Sequence, residues 1–394
     1  MADAIDLNEY GAKLREDPHS VYAELRALGP VHRVRLPPPE NYDSWLVVGY
    51  EEARAALADP RLAKDVSSLD TPPFAGRPAF DKNLLAVDPP QHTRLRALVT
   101  RAFTARRVKA LEPRIQRITD DLLDAMLPHG HADLVEAFAY PLPITVICEL
   151  LGVPEIDRAA FREMSNEMVA PTSEEAQQRA VDRLLVYLAE LIEDKRRAGP
   201  ADDLLSALIR TTAEDGDRLS AEELRDMAFL LLIAGHETTV NLIVNGVHTL
   251  LTHPEQLAEL RADPDLIDDA IEEMLRYEGP VETATFRYAA QPLEIAGIVI
   301  ERGEPVLIGL SAANRDAGRY AAPDRFDIHR DARGHLAFGH GIHYCLGAPL
   351  ARLETRTALR TLLRRAPALA LDGPPGEWFP GMLIRGRRSL PVRW

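Results

Sequence analysis

The stretch from Ser220 to Thr252 constrains the fold more than any other part of the chain. Ser220 and Glu223, three residues apart, make a capping box, in which each side chain serves the other residue's backbone N–H. Pro254 bars continuation, because proline lacks the N–H and its ring clashes with the preceding turn. Between these two signals the chain makes a rod roughly 50 Å long at about 1.5 Å per residue, the width of a domain. Met227–Ala234 is apolar throughout, so that half of the rod must be covered on most sides. These eight residues fall short of the ~20 that a bilayer span needs, and His236-Glu237 cuts the run.

The flanking segments read as further helices and a few strands. Helical patterns cover 18–28, Glu51–Ala58, 112–128, 141–151, 155–169, 174–197, Glu255–Asp263 and Leu266–Glu278. Val31–Arg35 and Ser44–Val48 read as strands separated by Pro37-Pro38-Pro39, and Gln291–Leu310 as strands with turns at Ala296-Gly297 and Arg302-Gly303. Residues 63–90 form a long irregular segment, and such segments are usually functional. The acid-rich link Ala213–Asp217 leads into the rod. No internal repeat or low-complexity tract interrupts the chain.

Two stretches carry chemistry. Mid-rod, Ala234-Gly235-His236-Glu237-Thr238-Thr239 places a carboxylate and a hydroxyl beside the apolar run, where burial is costly without a partner or a task. A structural role is open to both: Thr238 back-bonding to a carbonyl one turn earlier, and Glu237 in a salt bridge. The second stretch is Phe338-Gly339-His340-Gly341-Ile342-His343-Tyr344-Cys345-Leu346-Gly347, a glycine-rich loop that enters a helix with Pro349 in its first turn. Amide donors and a partial positive charge of roughly 0.5 units gather at such an entry, and both favour a thiolate at Cys345 below the free pKa of about 8.5. By residue type alone Cys345 can be a buried structural thiol, a zinc ligand with His340 and His343, or an axial ligand of haem iron.

Phe-Gly-x-Gly-x-His-x-Cys-x-Gly resembles the haem-binding signature of the cytochromes P-450 and matches it at every fixed position. Ala-Gly-His-Glu-Thr-Thr is similar to that family's oxygen-activating motif, with Glu as the acid. Glu273-Met274-Leu275-Arg276 fits its Glu-x-x-Arg pair, and the resemblance extends from the strands near 31–48 to Leu390-Pro391-Val392.

The resemblance implies one domain over 1–394 rather than the two or three that length suggests. That domain is mainly α with a small β lobe (31–48 and 284–310), holding haem b between the central helix and the cysteine loop. It implies a haem-thiolate monooxygenase that hydroxylates or epoxidises a hydrophobic small molecule with O2. Two electrons come from NAD(P)H through a ferredoxin and its reductase. Phrases such as His-Thr-Arg-Leu-Arg resemble the soluble bacterial subgroup that acts on macrolides and other polyketides. A peroxide- or hydride-using enzyme of the same fold, or a non-catalytic haem sensor, are the alternatives.

By the same resemblance Cys345 ligates iron, and Glu237 and Thr238 deliver protons. Ala234, Gly235, Phe338, Gly339 and Gly347 surround the haem, with Gly235 leaving room beside the iron and loosened helical bonding there admitting water. His92, Arg96, Arg287 and His343 bind the propionates. Glu273 and Arg276 tie their helix to the coil Pro323–Asp327 before the cysteine loop. Substrate contacts are expected from 63–88, 160–180, 229–240, 281–286 and 378–384, with Leu85, Ile233, Val281 and Met382 among them.

The net charge is −15, which argues against a general nucleic-acid binder. Against that background two basic features stand out: the acid-free run 91–109, and Arg352, Arg356, Arg360 and Arg364, every fourth residue along the last long helix. They are expected to dock an acidic ferredoxin. With only two cysteines no disulfide framework is indicated, and Cys148 in the apolar run 144–151 reads as a core residue. The N-terminus shows no signal or membrane segment, so a soluble, cytoplasmic, monomeric protein is expected.

Overall fold

The structure, a computed structural model, describes residues 4–38, 41–65, 81–154, 163–165, 167–168, 173–211 and 216–394. Most of the expected 63–90 loop, the first half of the 155–169 helix and most of the link at 213–217 lie outside the described residues.

The rod is a single helix, Ala221–Thr252. Its capping box is complete: Glu223 N donates to Ser220 Oγ at 3.2 Å, and Ser220 N donates to Glu223 Oε2 at 2.8 Å. At the other end His253 leaves the helical region (φ −126°, ψ 70°), as a residue before proline tends to, and Pro254 opens the next helix, Pro254–Ala262. Helices Pro141–Leu151, Glu174–Ala198, Ile267–Glu278 and Ala348–Arg365 pack around it. The apolar character runs further than the eight residues expected, because Val240, Leu242, Ile243, Val244, Val247 and Leu250 are buried as well. The rod is in fact long and apolar enough to cross a membrane, yet two-thirds of its most apolar window is buried inside the protein (67%). Each large aliphatic side chain fully covered there stabilises the fold by about 1.5–3 kcal/mol.

The strands build one six-stranded sheet from distant parts of the chain. Val31–Arg35 runs antiparallel to Asp43–Val47, which lies parallel to Pro305–Ile308; Arg287–Ala289, Leu62–Ala63 and Ile5–Asp6 complete it. Alternation of side chains sorts its residues onto two faces. Val31, Val47, Val306 and Ile308 pack with Tyr50 and Leu57, whereas Val34, Leu46, Val48 and Leu307 pack with Tyr22 and Leu25. The hairpin Leu293–Ile295/Ile298–Ile300 turns through Ala296 and Gly297, both left-handed (φ 53° and 80°), as a two-residue loop requires. A small sheet of His131–Asp133, Ala370–Leu371 and Pro391–Arg393 joins segments that no local pattern connects.

Candidate active site

The cysteine loop is held from several sides. Cys345 N donates to Phe338 O at 2.9 Å, closing the loop, and Arg96 Nη2 donates to Tyr344 O at 2.9 Å. Gly339 and Gly341 have φ of 73° and 74°, where any side chain is strained, and a Cβ on Gly341 would stand 2.9 Å from Leu57 O. The Arg352 guanidinium lies 4.5 Å from the Phe338 ring centroid.

Beneath this loop, Glu273 and Arg276 are fully buried. Arg276 donates to both carboxylate oxygens of Glu273 (2.6 and 2.7 Å) and to the carbonyls of Asn314, Pro323 and Arg325. Asp327 N donates to Glu273 Oε1 at 2.9 Å, so helix Ile267–Glu278 is clamped to the coil before the loop.

The expected low thiol pKa at Cys345 is overturned for the protein alone. Burial pushes the thiol up, outweighing the amides of Gly347 and Ala348 and the charges of Arg96 and Arg352. Cys345 is half-buried, and a cation bonded to its sulfur would favour the thiolate. Zinc is not that cation: among the described residues no three His, Cys, Asp or Glu are grouped to hold a metal. His343 instead turns to His92, ring centroids 4.6 Å apart, with Nδ1 donating to Leu84 O at 3.1 Å.

Around His343 the structure gathers basic side chains with few acids among them. His92 comes from helix Gln91–Ala102, Arg287 from its strand, and Lys64 from the start of the long irregular segment. Both ring nitrogens of His92, Nε of Arg287 and Nε2 of His343 are buried without hydrogen-bond partners. Burial, reinforced by Arg287, Lys64 and His92, pushes His343 down to about 3. Burial likewise lowers His92, Arg96, Lys64 and, to about 10, Arg287. Asp88 opposes several of these shifts, but its Oδ2 already accepts from the amides of Lys64 (2.9 Å) and Asp65 (2.8 Å). Unpartnered buried nitrogens of His92, Arg287 and His343, in a group of basic side chains beside the cysteine, fit haem, with an iron for the sulfur and two carboxylates for the basic groups. Lys64, whose ammonium donates to Thr285 O, Phe286 O and the Thr285 hydroxyl, escaped the sequence reading because no pattern marks it.

On the rod, Ala234 is exposed and Thr238 half-buried on one face, one turn apart, with Thr238 Oγ1 donating to Ala234 O at 2.9 Å. The helix is continuous here, so the expected loosening of its bonds is not seen. Gly235 does not open space at this face either. A Cβ there would meet Ile147 at 2.9 Å, so this glycine lets helix Pro141–Leu151 approach closely. Glu237 is 5% exposed and accepts from Ser165 Oγ at 2.7 Å. Leu85 is 36% exposed and Ile233 and Val281 are half-buried, Val281 bridging to Ile384. Met382 is 5% exposed and belongs to the buried cluster that includes Leu7, Tyr22, Leu25 and Leu46.

The arginine row is paired within the fold. Helix Ala348–Arg365 forms a ladder with helix Ile267–Glu278 and the turn before it, in which Arg352 meets Glu272 (2.5 Å), Arg356 meets Asp268, and Arg360 meets Asp265 (3.1 Å). Only Arg364 continues, exposed, beyond these rungs. Arg94 in the basic run is likewise taken, by Asp217 (2.6 Å) and Glu223 (2.7 Å). Beside the loop lies a shallow recess of about 500 Å³, its lining including His92, Arg96, Thr100, Arg101 and Ile342.

A helical protein with a small mixed sheet, a glycine-wrapped cysteine and a carboxylate-seeking cation cluster defines a haem-thiolate protein, and the comparisons agree. The Cytochrome P450 family profile matches residues 166–366. The chain is 57% identical over 394 aligned residues to cytochrome P450 monooxygenase PikC of Streptomyces venezuelae, covering 99% of this chain and 94% of that one. It is 47% identical to 6-deoxyerythronolide B hydroxylase of Saccharopolyspora erythraea, covering 96% of each. The solved structure of tirandamycin C-bound P450 monooxygenase TamI superposes with a TM-score of 0.90 at 46% identity over 99% of both chains. The chain belongs to the cytochrome P450 family, has its fold, and is a monooxygenase using haem iron and O2.

Proposed function

We propose that this monooxygenase hydroxylates or epoxidises a polyketide-type secondary metabolite of macrolide size. One observation carries the substrate class: 6-deoxyerythronolide B hydroxylase is 47% identical over 96% of both chains. The tirandamycin C-bound relative supports the same reading. Pocket walls from Leu85, Ile233 and Val281, with their mostly apolar surroundings, suit such a ligand.

In this reading Cys345 would hold the haem iron through its sulfur, with Phe338, Gly339 and Gly347 shaping the loop around it. His92, Arg96, Arg287 and His343 hold the propionates, Lys64 adds to the positive field, and Glu273 and Arg276 fix the approach of the loop. When bound, haem supplies the redox-active iron at which O2 is reduced and cleaved. The chain's own work is to exclude bulk water and move protons. Thr238 Oγ1 turns from Ala234 O toward the cavity and donates a hydrogen bond there, while Glu237 relays protons to it through water. Electrons reach the site from NAD(P)H by way of a reductase and an acidic ferredoxin, which docks at the recess around Arg101 and Ile342 rather than along the paired arginine ladder. The chain acts as a single-domain cytoplasmic monomer.

The test is a spectral titration of the ferric protein with macrolide and linear polyketide compounds, followed by ferredoxin-driven turnover and mass spectrometry. The expected result is displacement of iron-bound water by a polyketide and a product one oxygen heavier. Binding of fatty acids or terpenoids alone would overturn the substrate class.

A further inference from the structure

A polar cavity of about 270 Å³ lies where the second half of the rod, the end of helix Ile267–Glu278, the start of helix Pro18–Leu28 and the C-terminal segment meet. It shares no lining residue with the site described above. A water takes about 30 Å³, so the space holds several waters or one small ion with part of its hydration.

Most charges in the wall are matched. Glu278 accepts from Arg385 Nε at 2.9 Å and faces Arg315 Nη2 at 3.8 Å, and the other Arg385 nitrogens reach the carbonyls of Arg15 (2.6 Å) and Glu16 (3.3 Å). Glu16 and Asp17 are exposed. Arg387 is the exception. Its Nη1 donates to Gly376 O at 3.1 Å, its Nε is buried without a hydrogen-bond partner, and no carboxylate pairs with it among the described residues. Burial and the Arg385 charge disfavour its cation, and Glu278 and Glu16 offset them only in part. The Trp378 ring centroid lies 3.4 Å from the Arg385 guanidinium carbon and 3.7 Å from that of Arg387.

Two other groups in the wall lack a donor. Asn245 Nδ2 donates to Arg385 O (2.9 Å) and Glu278 O (3.3 Å), which leaves Oδ1 a buried acceptor without a partner. His19 Nε2 stands 3.3 Å from both oxygens of Glu278, and a carboxylate only accepts, so Nε2 carries the proton. Burial lowers the ring's pKa more than Glu278 raises it, so Nδ1 is a second bare acceptor, again buried and unpartnered.

A cationic donor together with two acceptors suits a ligand that has negative charge and an O–H of its own. Water brings the O–H without the charge, and sulfate at neutral pH brings the charge without the O–H. Hydrogen phosphate brings both. We propose that this cavity binds a small protonated oxyanion of the phosphate class. Its unprotonated oxygens accept from Arg387, and its P–OH donates to Asn245 Oδ1 or His19 Nδ1. The ligand thereby ties the C-terminal segment to the rod and to helix Pro18–Leu28.

The test takes the holoenzyme in phosphate-free buffer and follows its thermal midpoint against sodium phosphate or sodium sulfate at equal ionic strength. Phosphate at about 100 times its Kd should raise the midpoint by roughly 2–5 °C, since a ligand of the folded state stabilises it by mass action. Sulfate should give clearly less. Both salts also stabilise folded proteins by exclusion from their surface, a background that Arg387→Gln retains while losing the difference between them. Trp378 emission is the second reading: phosphate should change it and sulfate should not, and Trp378→Phe should lack the change. That reading carries the test if Arg387→Gln does not fold, and an emission indifferent to phosphate then overturns the proposal. Equal shifts by the two salts, or equal phosphate shifts in the wild type and Arg387→Gln, overturn it as well, and the cavity then holds water alone.

Discussion

Two sets of cations flank the cysteine loop and are treated in opposite ways. Along helix Ala348–Arg365 each of Arg352, Arg356 and Arg360 meets a carboxylate of the neighbouring helix or the turn before it. At the other side Lys64, His92, Arg96, Arg287 and His343 crowd together, and several of their donors reach nothing. The first set is completed by the fold and is half-exposed, so it stabilises two packed helices by modest amounts. The second is buried at His92 and Arg287, half-buried elsewhere, and leaves several nitrogens without partners, which a ligand bearing carboxylates would complete. A basic stripe in a sequence therefore says little until its partners are known, whereas buried nitrogens without partners point to something bound.

The largest expected effect comes from removing the sulfur beside the unfinished set. Cys345→Ser should abolish the red-shifted absorption of the reduced carbon-monoxide complex, while Cys148→Ser keeps it. Next in size, Arg96→Ala with Arg287→Ala should cut haem retained after gel filtration by about tenfold or more, two charge-assisted contacts being worth roughly 1.5–3 kcal/mol each. Arg356→Ala with Arg360→Ala should retain the full haem complement. Equal haem loss in both double variants would erase the distinction.

A pH experiment sharpens it further. His343 is depressed to about 3 in the protein without haem, against the ordinary value of about 6.5. Between those values the unfolded chain binds more protons than the folded one, so stability of the apoprotein should rise with pH through that window and level off above it. Propionates beside the ring would lift the folded value and flatten the rise. Urea denaturation of apoprotein and holoprotein across pH 5–7 (about the upper half of that window) measures the difference.

The smallest effects belong to the ladder. Although burial raises it, hydrogen bonds from Arg352 and His335 hold Glu272 down at about 2. Its contribution is present above the ordinary carboxylate range, about 4.3, and is lost as pH falls toward 2. Glu272→Gln should cost about 1–2 kcal/mol at neutral pH in urea melts, after allowance for partial exposure. Arg356→Ala should cost about 0–1 kcal/mol, as exposed pairs do. For electron transfer, Arg101→Glu should slow ferredoxin-driven reduction more than Arg356→Glu with Arg360→Glu, measured as stopped-flow rate against salt. The reverse ranking would move the docking surface back to the ladder.

The sequence by itself determined the features whose physics is local. Ser220, Glu223 and Pro254 set the ends of the rod because capping and proline sterics act within a turn. Ala296-Gly297 set its hairpin because two left-handed residues suffice, and the cysteine loop was legible because its glycines and helix entry lie within ten residues. Only the tertiary structure decided what each polar group meets. Asp265, Asp268 and Glu272 neutralise a row that looked free, Gly235 faces Ile147 instead of the cavity, Met382 turns inward, and Lys64 and Ser165 enter the site unannounced. Even the Cys345 thiol reverses direction, since helix-end amides act over one turn while its desolvation is set by every element packed around it. Backbone geometry is short-ranged, but burial and charge pairing depend on neighbours up to hundreds of residues away, and those exist only once the chain has folded.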